Sequence, residues 1–320
     1  MSDAITQPKT GFSSYLAVAR IDHWFKNVFM IPGVAFALAF SPESSSLGLV
    51  PVLVLAFLST SLIASANYTI NEWLDAEFDR QHPTKKHRPA AAYGLSGRLI
   101  WTQWFVLATT GLLVASSINA FFQLFALTFL VMGLAYNVEP VRTKDRAYLD
   151  VVSESFNNPL RFMLGWSAVI STVMPPSSIV IAYWMGGAFL MAIKRFAEYR
   201  FINDPERAGR YRRSFKVYTE ESLLLSAFFY AMSSCLFLGV FLIKHRIEFL
   251  FLFPLVAILF VWYLKIGLQP DSVVQRPEKL YTQKGFMAYV AFFVLSILVL
   301  SFLDMPWMSF LLNYQLIWKA

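Results

Sequence analysis

Acidic and amide side chains recur at a fixed spacing in the stretch "NYTINEWLDAEFDR", residues 67–80. Asn71, Asp75 and Asp79 stand four positions apart, so on a helix they lie on one face, each one turn from the next. Like charges at this spacing repel, and ionised carboxylates resist removal from water. A divalent cation offsets both costs, and Mg²⁺ prefers carboxylates completed by water and substrate phosphates. The pattern therefore predicts a Mg²⁺–diphosphate site; the alternative is a solvated acidic helix end, salt-bridged to the lysines that follow.

Basic side chains follow the acids directly, in "HPTKKHRP" at residues 82–89. They are close enough in sequence to fold back onto the acids, and metal and bases together can neutralise a diphosphate leaving group. The bases are Lys85, Lys86 and Arg88. His82 and His87 could donate hydrogen bonds to phosphate, although a lone surface histidine is more often a bystander.

A second charged cluster stands in "IKRFAEYR", residues 193–200. Lys194 and Glu198 are four positions apart, and Arg195 lies between them. One interpretation is an ordinary helix-end ion pair with snorkelling bases. The other is an anion-binding group that faces the first motif. The arginines of the loop that follows, "RAGRYRRSFKVY", fit anionic lipid headgroups equally well.

Two further polar features fall within apolar segments. Lys26 and Asn27 belong to "RIDHWFKN" at residues 20–27, and Arg161 belongs to "NNPLRF" at residues 157–162. A charge inside a membrane span is a functional hypothesis by default, because it must face a cavity or a partner. For Arg161, structural pairing, with Glu154 as a candidate partner, and substrate contact are equally good hypotheses.

These residues must be positioned by membrane-spanning helices. Of 320 residues, 57% are hydrophobic and 15% are charged, against about 25% charged in soluble domains. A span needs ~20 mainly apolar residues, and nine segments qualify, which predicts an all-α polytopic helix bundle. The predicted spans are 24–42, 48–70, 99–118, 120–138, 147–170, 177–194, 222–243, 248–266 and 286–303.

Charge placement predicts the orientation of the bundle. Most of the 27 Lys and Arg fall on the side that holds the N-terminus and the long loops, which the positive-inside rule assigns to the cytoplasm. The net charge of +7 therefore indicates topology and anionic substrates, and no nucleic-acid partner. Residues 1–12 are predicted to form a flexible tail, and 304–320 an interfacial segment on the outer side.

The first motif resembles that of the UbiA superfamily of intramembrane prenyltransferases, which reads NDxxDxxxD at the end of the second span. Aromatic prenyltransferases of that superfamily carry a second acidic motif, DxxxD, after span six. This sequence has "KRFAEY" there. Together with "RIDHWFKN" and "DRQHPTKKHRPAAAYG", that stretch makes the chain most similar to the decaprenyl-phosphate phosphoribosyltransferase branch.

The resemblance implies a single UbiA-like transmembrane domain over 1–320 and a Mg²⁺-dependent enzyme in the bacterial inner membrane, with its site facing the cytoplasm. The implied donor is 5-phosphoribosyl 1-diphosphate and the implied acceptor a polyprenyl phosphate, in the synthesis of lipid-linked arabinose for the cell wall. Asp75 and Asp79 would be catalytic, and with Asn71 they would hold the metal. Glu72 departs from the motif, since the superfamily has Asp there. The implied substrate contacts are Lys26, Asn27, Asn71, Glu72, His82, Lys85, Arg88, Arg161, Lys194, Arg195 and Glu198.

Two rival functions remain at this stage. A prenyltransferase acting on a prenyl diphosphate and an aromatic acceptor would share the fold and the first motif, but "KRFAE" in place of DxxxD disfavours it. A transporter or lipid-binding protein would place its ion site at the bilayer midplane, whereas these acids cluster at the predicted cytoplasmic edge. The sequence leaves the oligomeric state open.

Overall fold

A computed structural model of the chain describes residues 11–44, 46–80, 85–245, 247–303 and 305–311. Every regular element within these ranges is a helix, which confirms the predicted all-α fold. The predicted tail at 1–12 and segment at 304–320 lie mostly outside the described residues.

The α-helices are α1 (Phe12–Val18), α2 (Ile31–Phe40), α3 (Leu49–Leu74), α4 (Ala76–Asp79), α5 (Pro89–Tyr93), α6 (Gly97–Ser116), α7 (Ala120–Asn137), α8 (Leu149–Ser155), α9 (Asn157–Val169), α10 (Ser177–Ile202), α11 (Pro205–Tyr211), α12 (Glu220–His245), α13 (Leu252–Gly267) and α14 (Lys284–Phe302).

Seven helical segments of the described chain are long and apolar enough to cross a membrane, so the predicted count of nine is not confirmed. The fifth predicted span, 147–170, is divided into α8 and α9 at Phe156. Pro159 explains the division, because proline removes a backbone donor and clashes with the carbonyl four residues earlier. The ninth corresponds to α14, whose described apolar stretch Lys284–Ile297 is shorter than the seven spans.

The structure divides into two compact units. The first comprises Met1–Pro175 and Ile202–Thr219 and contains α1–α9 and α11. The second comprises Pro176–Phe201 and Glu220–Ala320 and contains α10 and α12–α14. A single domain over 1–320 stays a prediction.

Within the first unit, α2 and α9 approach at backbone distance through a pair of glycines. A Cβ atom on Gly33 would lie 1.9 Å from the carbonyl oxygen of Phe162, and one on Gly165 would lie 2.1 Å from that of Met30. Small residues permit this contact in membrane helices, where packing supplies much of the association energy. The contact holds α9, and with it Arg161, against α2 and the segment Ile21–Met30 that precedes it.

The entry segment is a 3₁₀ helix, Ile21–Met30, between α1 and α2. It begins after Arg20, which has a left-handed backbone with φ of 50°. His23 and Asn27 are buried on this segment. The predicted first span, 24–42, therefore starts inside a tighter helix that carries polar side chains inward.

In the second unit, helices pack closely through small residues. A Cβ atom on Gly267 of α13 would lie 2.3 Å from the Ile193 side chain of α10. Ser234 of α12 donates a hydrogen bond to the Ala182 carbonyl of α10 at 2.8 Å, and a serine that bonds across helices is typical of membrane packing.

Large apolar side chains cover the outside of both units. Phe105 and Leu113 of α6, and Phe228 and Phe229 of α12, are each more than 60% exposed. Contiguous apolar exposure of this kind marks a surface that contacts lipid or protein. The long apolar helices and this surface identify the chain as an integral membrane protein.

Candidate active site

The motif acids lie at the C-terminal end of α3, where the helix passes into the short α4. The Asp75 amide donates to the Asn71 carbonyl at 3.1 Å, and the Asp79 amide donates to the Asp75 carbonyl at 2.8 Å. The one-turn spacing that the sequence predicts therefore continues across the junction. The Asn71 side-chain amide reaches Asp75 Oδ2 at 3.4 Å.

Asp75 is held by two cations that come from the loop after α7. Lys144 Nζ donates to Asp75 Oδ1 at 2.5 Å, and Arg142 Nη2 donates to the same oxygen at 3.2 Å. Lys144 is only 3% exposed, and burial lowers the pKa of its ammonium group although Asp75 opposes that shift. Because Lys144 is largely removed from water, its charge-assisted hydrogen bond to Asp75 is strong.

Asn137, the last residue of α7, joins these groups. Its Oδ1 accepts from Lys144 at 2.9 Å and from the Asn71 amide at 2.5 Å. Arg142 also donates to the Asn137 carbonyl at 3.1 Å. Sequence reasoning missed Arg142, Lys144 and Asn137 as site residues. Their one signal in the sequence was the pair of bases in "EPVRTKD", and these bases were used only to predict the orientation of the bundle.

Asp79 pairs with the basic stretch that follows it. Arg88 Nη1 donates to Asp79 Oδ2 at 2.8 Å, and the carboxylate is 3% exposed. Burial raises the pKa of the Asp79 carboxyl above its usual range, and the positive charge of Arg88 opposes that shift. The return of the basic stretch onto the acids is thus observed at Arg88, while Lys86 and His87 are exposed. His82 lies outside the described residues.

Lys85 contacts an element that the sequence did not associate with it. Its ammonium group donates to the Tyr211 hydroxyl and lies 4.7 Å from the centre of that ring. Tyr211 ends α11, and the segment after α11 is anchored on Asp150. Asp150 is fully buried and accepts from the Tyr218 hydroxyl at 2.7 Å and from the Ser214 hydroxyl at 3.1 Å.

Glu72 points to a different partner from the other acids. It is 3% exposed, and its Oε1 accepts from the Ala90 amide at 3.4 Å, in the first turn of α5. An acceptor at this position satisfies an amide that the helix itself leaves unpaired. The glutamate therefore holds α5 against α3.

Arg161 and Asn27 meet in the interior of the first unit. Arg161 Nε donates to Asn27 Oδ1 at 2.9 Å, and Asn27 donates to Ser61 at 2.8 Å. Lys26 contacts the His23 ring at 2.9 Å and lies 5.6 Å from the centre of the Tyr68 ring. The structure thus satisfies Arg161 by internal bonds, which does not decide between its two predicted roles.

The cluster on α10 belongs to the second unit. Arg195 and Glu198 are 1% and 3% exposed, and Arg195 Nη1 lies 3.3 Å from Glu198 Oε2. Lys194 is half-buried on the same helix. The structure thus shows a buried ion pair between Arg195 and Glu198 within one helix, and the anion-binding role of this cluster stays a prediction.

A cavity of about 100 Å³, lined by both apolar and polar residues, lies in the first unit among α3, α7 and α9. Its polar lining includes residues that the sequence singled out and others that it did not. These residues are Asn67, Asn71, Asn137, Glu154, Asn157 and Arg161. The cavity therefore adjoins Asp75 through Asn71.

The side chains of Asn71, Asp75 and Asp79 fit a hard divalent cation in their chemistry, and in this structure the Asn71 amide nitrogen faces Asp75. Two carboxylates and an amide oxygen are ligands of the type that Mg²⁺ takes, with water and phosphate completing its shell. Among the described residues, no group of three or more His, Cys, Asp or Glu gathers as a metal site by itself. Lys144 and Arg142 supply the positive charge at Asp75 in this structure.

The apolar helices and the buried acid–base cluster at the end of α3 define an integral membrane protein with a charged site at the end of a span. Residues 29–297 match the UbiA prenyltransferase family, and the chain belongs to that family. This confirms the resemblance seen in the sequence.

Several relatives and structures are similar to the chain. A decaprenyl-phosphate phosphoribosyltransferase of Mycobacterium tuberculosis is 31% identical over 226 residues, which cover 69% of this chain and 71% of the relative. The nodulation protein NoeC of Azorhizobium caulinodans is 25% identical over 288 residues, 89% of this chain and 81% of NoeC. The structure of a UbiA homologue from Archaeoglobus fulgidus bound to GPP and Mg²⁺ has a TM-score of 0.67 and 22% identity, covering 91% of this chain and all of that one.

Proposed function

We propose that the chain transfers 5-phosphoribose from 5-phosphoribosyl 1-diphosphate to a polyprenyl phosphate, such as decaprenyl phosphate, and releases diphosphate. The observation that carries this proposal is that both aspartates at the α3–α4 junction are paired with cations. Asp75 pairs with Arg142 and Lys144, and Asp79 pairs with Arg88. A donor diphosphate, a donor 5-phosphate and an acceptor phosphate all need cationic partners. The identity to the mycobacterial phosphoribosyltransferase supports the same reaction.

Asn71, Asp75 and Asp79 are the residues that would hold Mg²⁺. When bound, the metal would offset negative charge on the departing diphosphate. Lys144 and Arg142, once Asp75 turns to the metal, would become available to diphosphate oxygens. Arg88 and Lys85 would contribute further positive charge from the basic stretch. Electrostatic stabilisation of this kind is usually the largest part of the rate enhancement for a charged leaving group.

The acceptor needs no general base, because a phosphate ester at neutral pH is already an anionic nucleophile. Positive charge would develop at the anomeric carbon of the ribose as the diphosphate leaves. The lipid phosphate would attack from the opposite face, so the configuration at that carbon inverts. Lys26, Lys194 and Arg195 are proposed to contact the donor or acceptor phosphates, with Glu198 orienting Arg195.

The basic loops support a site that faces the cytoplasm of the bacterial inner membrane, since positive charge concentrates on that side. We place the reaction in the supply of lipid-linked arabinose for a cell-wall arabinan. The polyprenyl tail would lie along the apolar helices, within the bilayer.

The test is a direct assay of the purified protein in nanodiscs with Mg²⁺, radiolabelled 5-phosphoribosyl 1-diphosphate and a panel of polyprenyl phosphates. We expect a phosphoribosylated lipid, and loss of that product with Asp75→Asn. A parallel reaction supplies geranyl diphosphate and 4-hydroxybenzoate. No labelled lipid, together with turnover of the aromatic acceptor, would refute the proposal in favour of a prenyltransferase. Normal turnover by Asp75→Asn would refute the role of the acids.

A further inference from the structure

The cavity among α3, α7 and α9 contains two hydrogen-bond acceptors that the described protein leaves unused. The side-chain oxygens of Asn67 and Asn157 are buried and accept no hydrogen bond from any residue in the described ranges. Both residues line the cavity. A volume of about 100 Å³ is several times the roughly 10–15 Å³ that one water molecule needs. An occupant larger than one water molecule therefore fits.

The orientation of both amides follows from their donor groups. Asn67 Nδ2 donates to the Phe129 carbonyl at 3.0 Å, and Asn157 Nδ2 donates to the Glu154 carbonyl at 3.0 Å. Rotating either amide by half a turn would set its oxygen against a carbonyl oxygen, which repels it. The two side-chain oxygens are therefore fixed as acceptors, and a buried acceptor without a partner is costly.

A glycine keeps Asn67 in this position. A Cβ atom on Gly133 of α7 would lie 2.1 Å from Asn67 Oδ1 and 2.1 Å from its Cγ. Any larger residue at this position would displace the amide, because real Cβ contacts are never this short. The acceptor is thus built into the packing of α3 on α7.

The charges around the cavity favour a neutral occupant with hydrogen-bond donors. Glu154 and Arg161 both line it, so one negative and one positive charge offset each other. The Tyr136 hydroxyl donates to Glu154 Oε2 at 2.7 Å. A metal ion at the two amide oxygens would meet the Arg161 guanidinium, whereas hydroxyl groups can donate to amide and carboxylate oxygens without that repulsion.

We propose that this cavity binds the ribose hydroxyls of the donor, with Asn67 and Asn157 as acceptors. The inference rests on the proposed function and deepens it, because it assigns the part of the site that distinguishes a sugar from an isoprenoid. Asn71 lines the same cavity and contacts Asp75, so a ribose there adjoins the site proposed for its diphosphate. A prenyl chain carries no hydroxyl and would leave both acceptors unpaired, and such a site rejects the analogue that lacks the donor.

The experiment compares three donors with the wild-type protein in nanodiscs: 5-phosphoribosyl 1-diphosphate and its 2-deoxy and 3-deoxy analogues. We expect kcat/KM to fall about tenfold or more for at least one deoxy donor, the size of a lost buried hydrogen bond. Asn67→Ala and Asn157→Ala should each lower kcat/KM for the ribosyl donor and leave the affected deoxy donor within about twofold. Thr60→Ala is the matched control on α3, because within the described part of the chain its hydroxyl bonds only to the Ala56 carbonyl of its own helix.

The outcomes separate this inference from the proposed function. Turnover of the ribosyl donor without discrimination against either deoxy donor overturns the hydroxyl site and leaves the proposed function standing. An equal fall for all donors in Asn67→Ala and Asn157→Ala shows a structural role only, and also overturns it. No turnover of any phosphoribosyl donor overturns both. A preference for a phenolic acceptor that these variants abolish would assign the cavity to that ring instead.

Discussion

Replacing Lys144 by methionine tests whether this ammonium group and a divalent cation compete for Asp75. Lys144 is 3% exposed and donates to Asp75 Oδ1 at 2.5 Å. A buried hydrogen bond between charged groups contributes about 1.5–3 kcal/mol, and a metal that takes over the carboxylate must displace it. Because 1.4 kcal/mol is a factor of ten, we expect Lys144→Met to bind Mn²⁺ roughly 10- to 100-fold more tightly in the absence of donor.

The same change should lower turnover. With the diphosphate bound, the variant lacks a cation that would stabilise the leaving group, and loss of one such donor costs on the order of 10²–10³ in kcat. Tighter metal binding together with slower chemistry is the expected combination. Arg142 stays within 3.2 Å of Asp75, so the carboxylate is not left unpaired and the protein should remain folded.

Electron paramagnetic resonance of free Mn²⁺ measures the affinity, and the labelled-lipid assay measures turnover. Lys86→Met is the matched control, since it removes the same charge from an exposed position. Adding Asp75→Asn to Lys144→Met should abolish the gain in affinity. An unchanged Mn²⁺ affinity in Lys144→Met, or an equal gain in Lys86→Met, would refute competition at Asp75.

Three further substitutions test the scaffold and the second acid. Gly33→Ala should lower the thermal midpoint by an overpacking cost of about 1–3 kcal/mol or more, while Gly239→Ala, with no atom within 4 Å of the added carbon, should leave it unchanged; equal midpoints would contradict the α2–α9 contact. Asp150→Asn should destabilise by about 1–3 kcal/mol and increase proteolysis of residues 202–219; unaltered cleavage would contradict the anchoring. Arg88→Leu leaves Asp79 buried without its cation, so activity should fall about 100-fold; full activity would exclude the pair from the site.

The sequence predicted the local geometry of the site well because that geometry follows from helical periodicity. Asn71, Asp75 and Asp79 keep their one-turn spacing through the α3–α4 junction, as the backbone hydrogen bonds show. Apolar run length likewise predicted most spans. It did not predict that 147–170 is divided into two helices, because hydropathy does not register that Pro159 interrupts the helix.

The partners of these residues were beyond sequence reasoning, because they come from distant segments. Lys144 is 69 positions from Asp75, and Tyr211 is 126 positions from Lys85. The sequence of a short loop does not show whether its basic side chain faces solvent or a carboxylate. Asn67 and Asn157 gave no signal at all, since their significance lies in oxygen atoms that are buried without a partner.

The departure at Glu72 gains a physical account when its partner is considered together with those of the neighbouring acids. Glu72 accepts from the Ala90 amide, and Asp79 accepts from Arg88, the residue that caps α5. The Arg80 side chain adds a bond to the Ala91 carbonyl at 3.0 Å. Three consecutive parts of the acidic segment thus fasten the start of α5. The longer glutamate arm reaches a backbone amide on that helix, so it helps to position Arg88 on Asp79, and the proposed diphosphate site would be formed by the other acids.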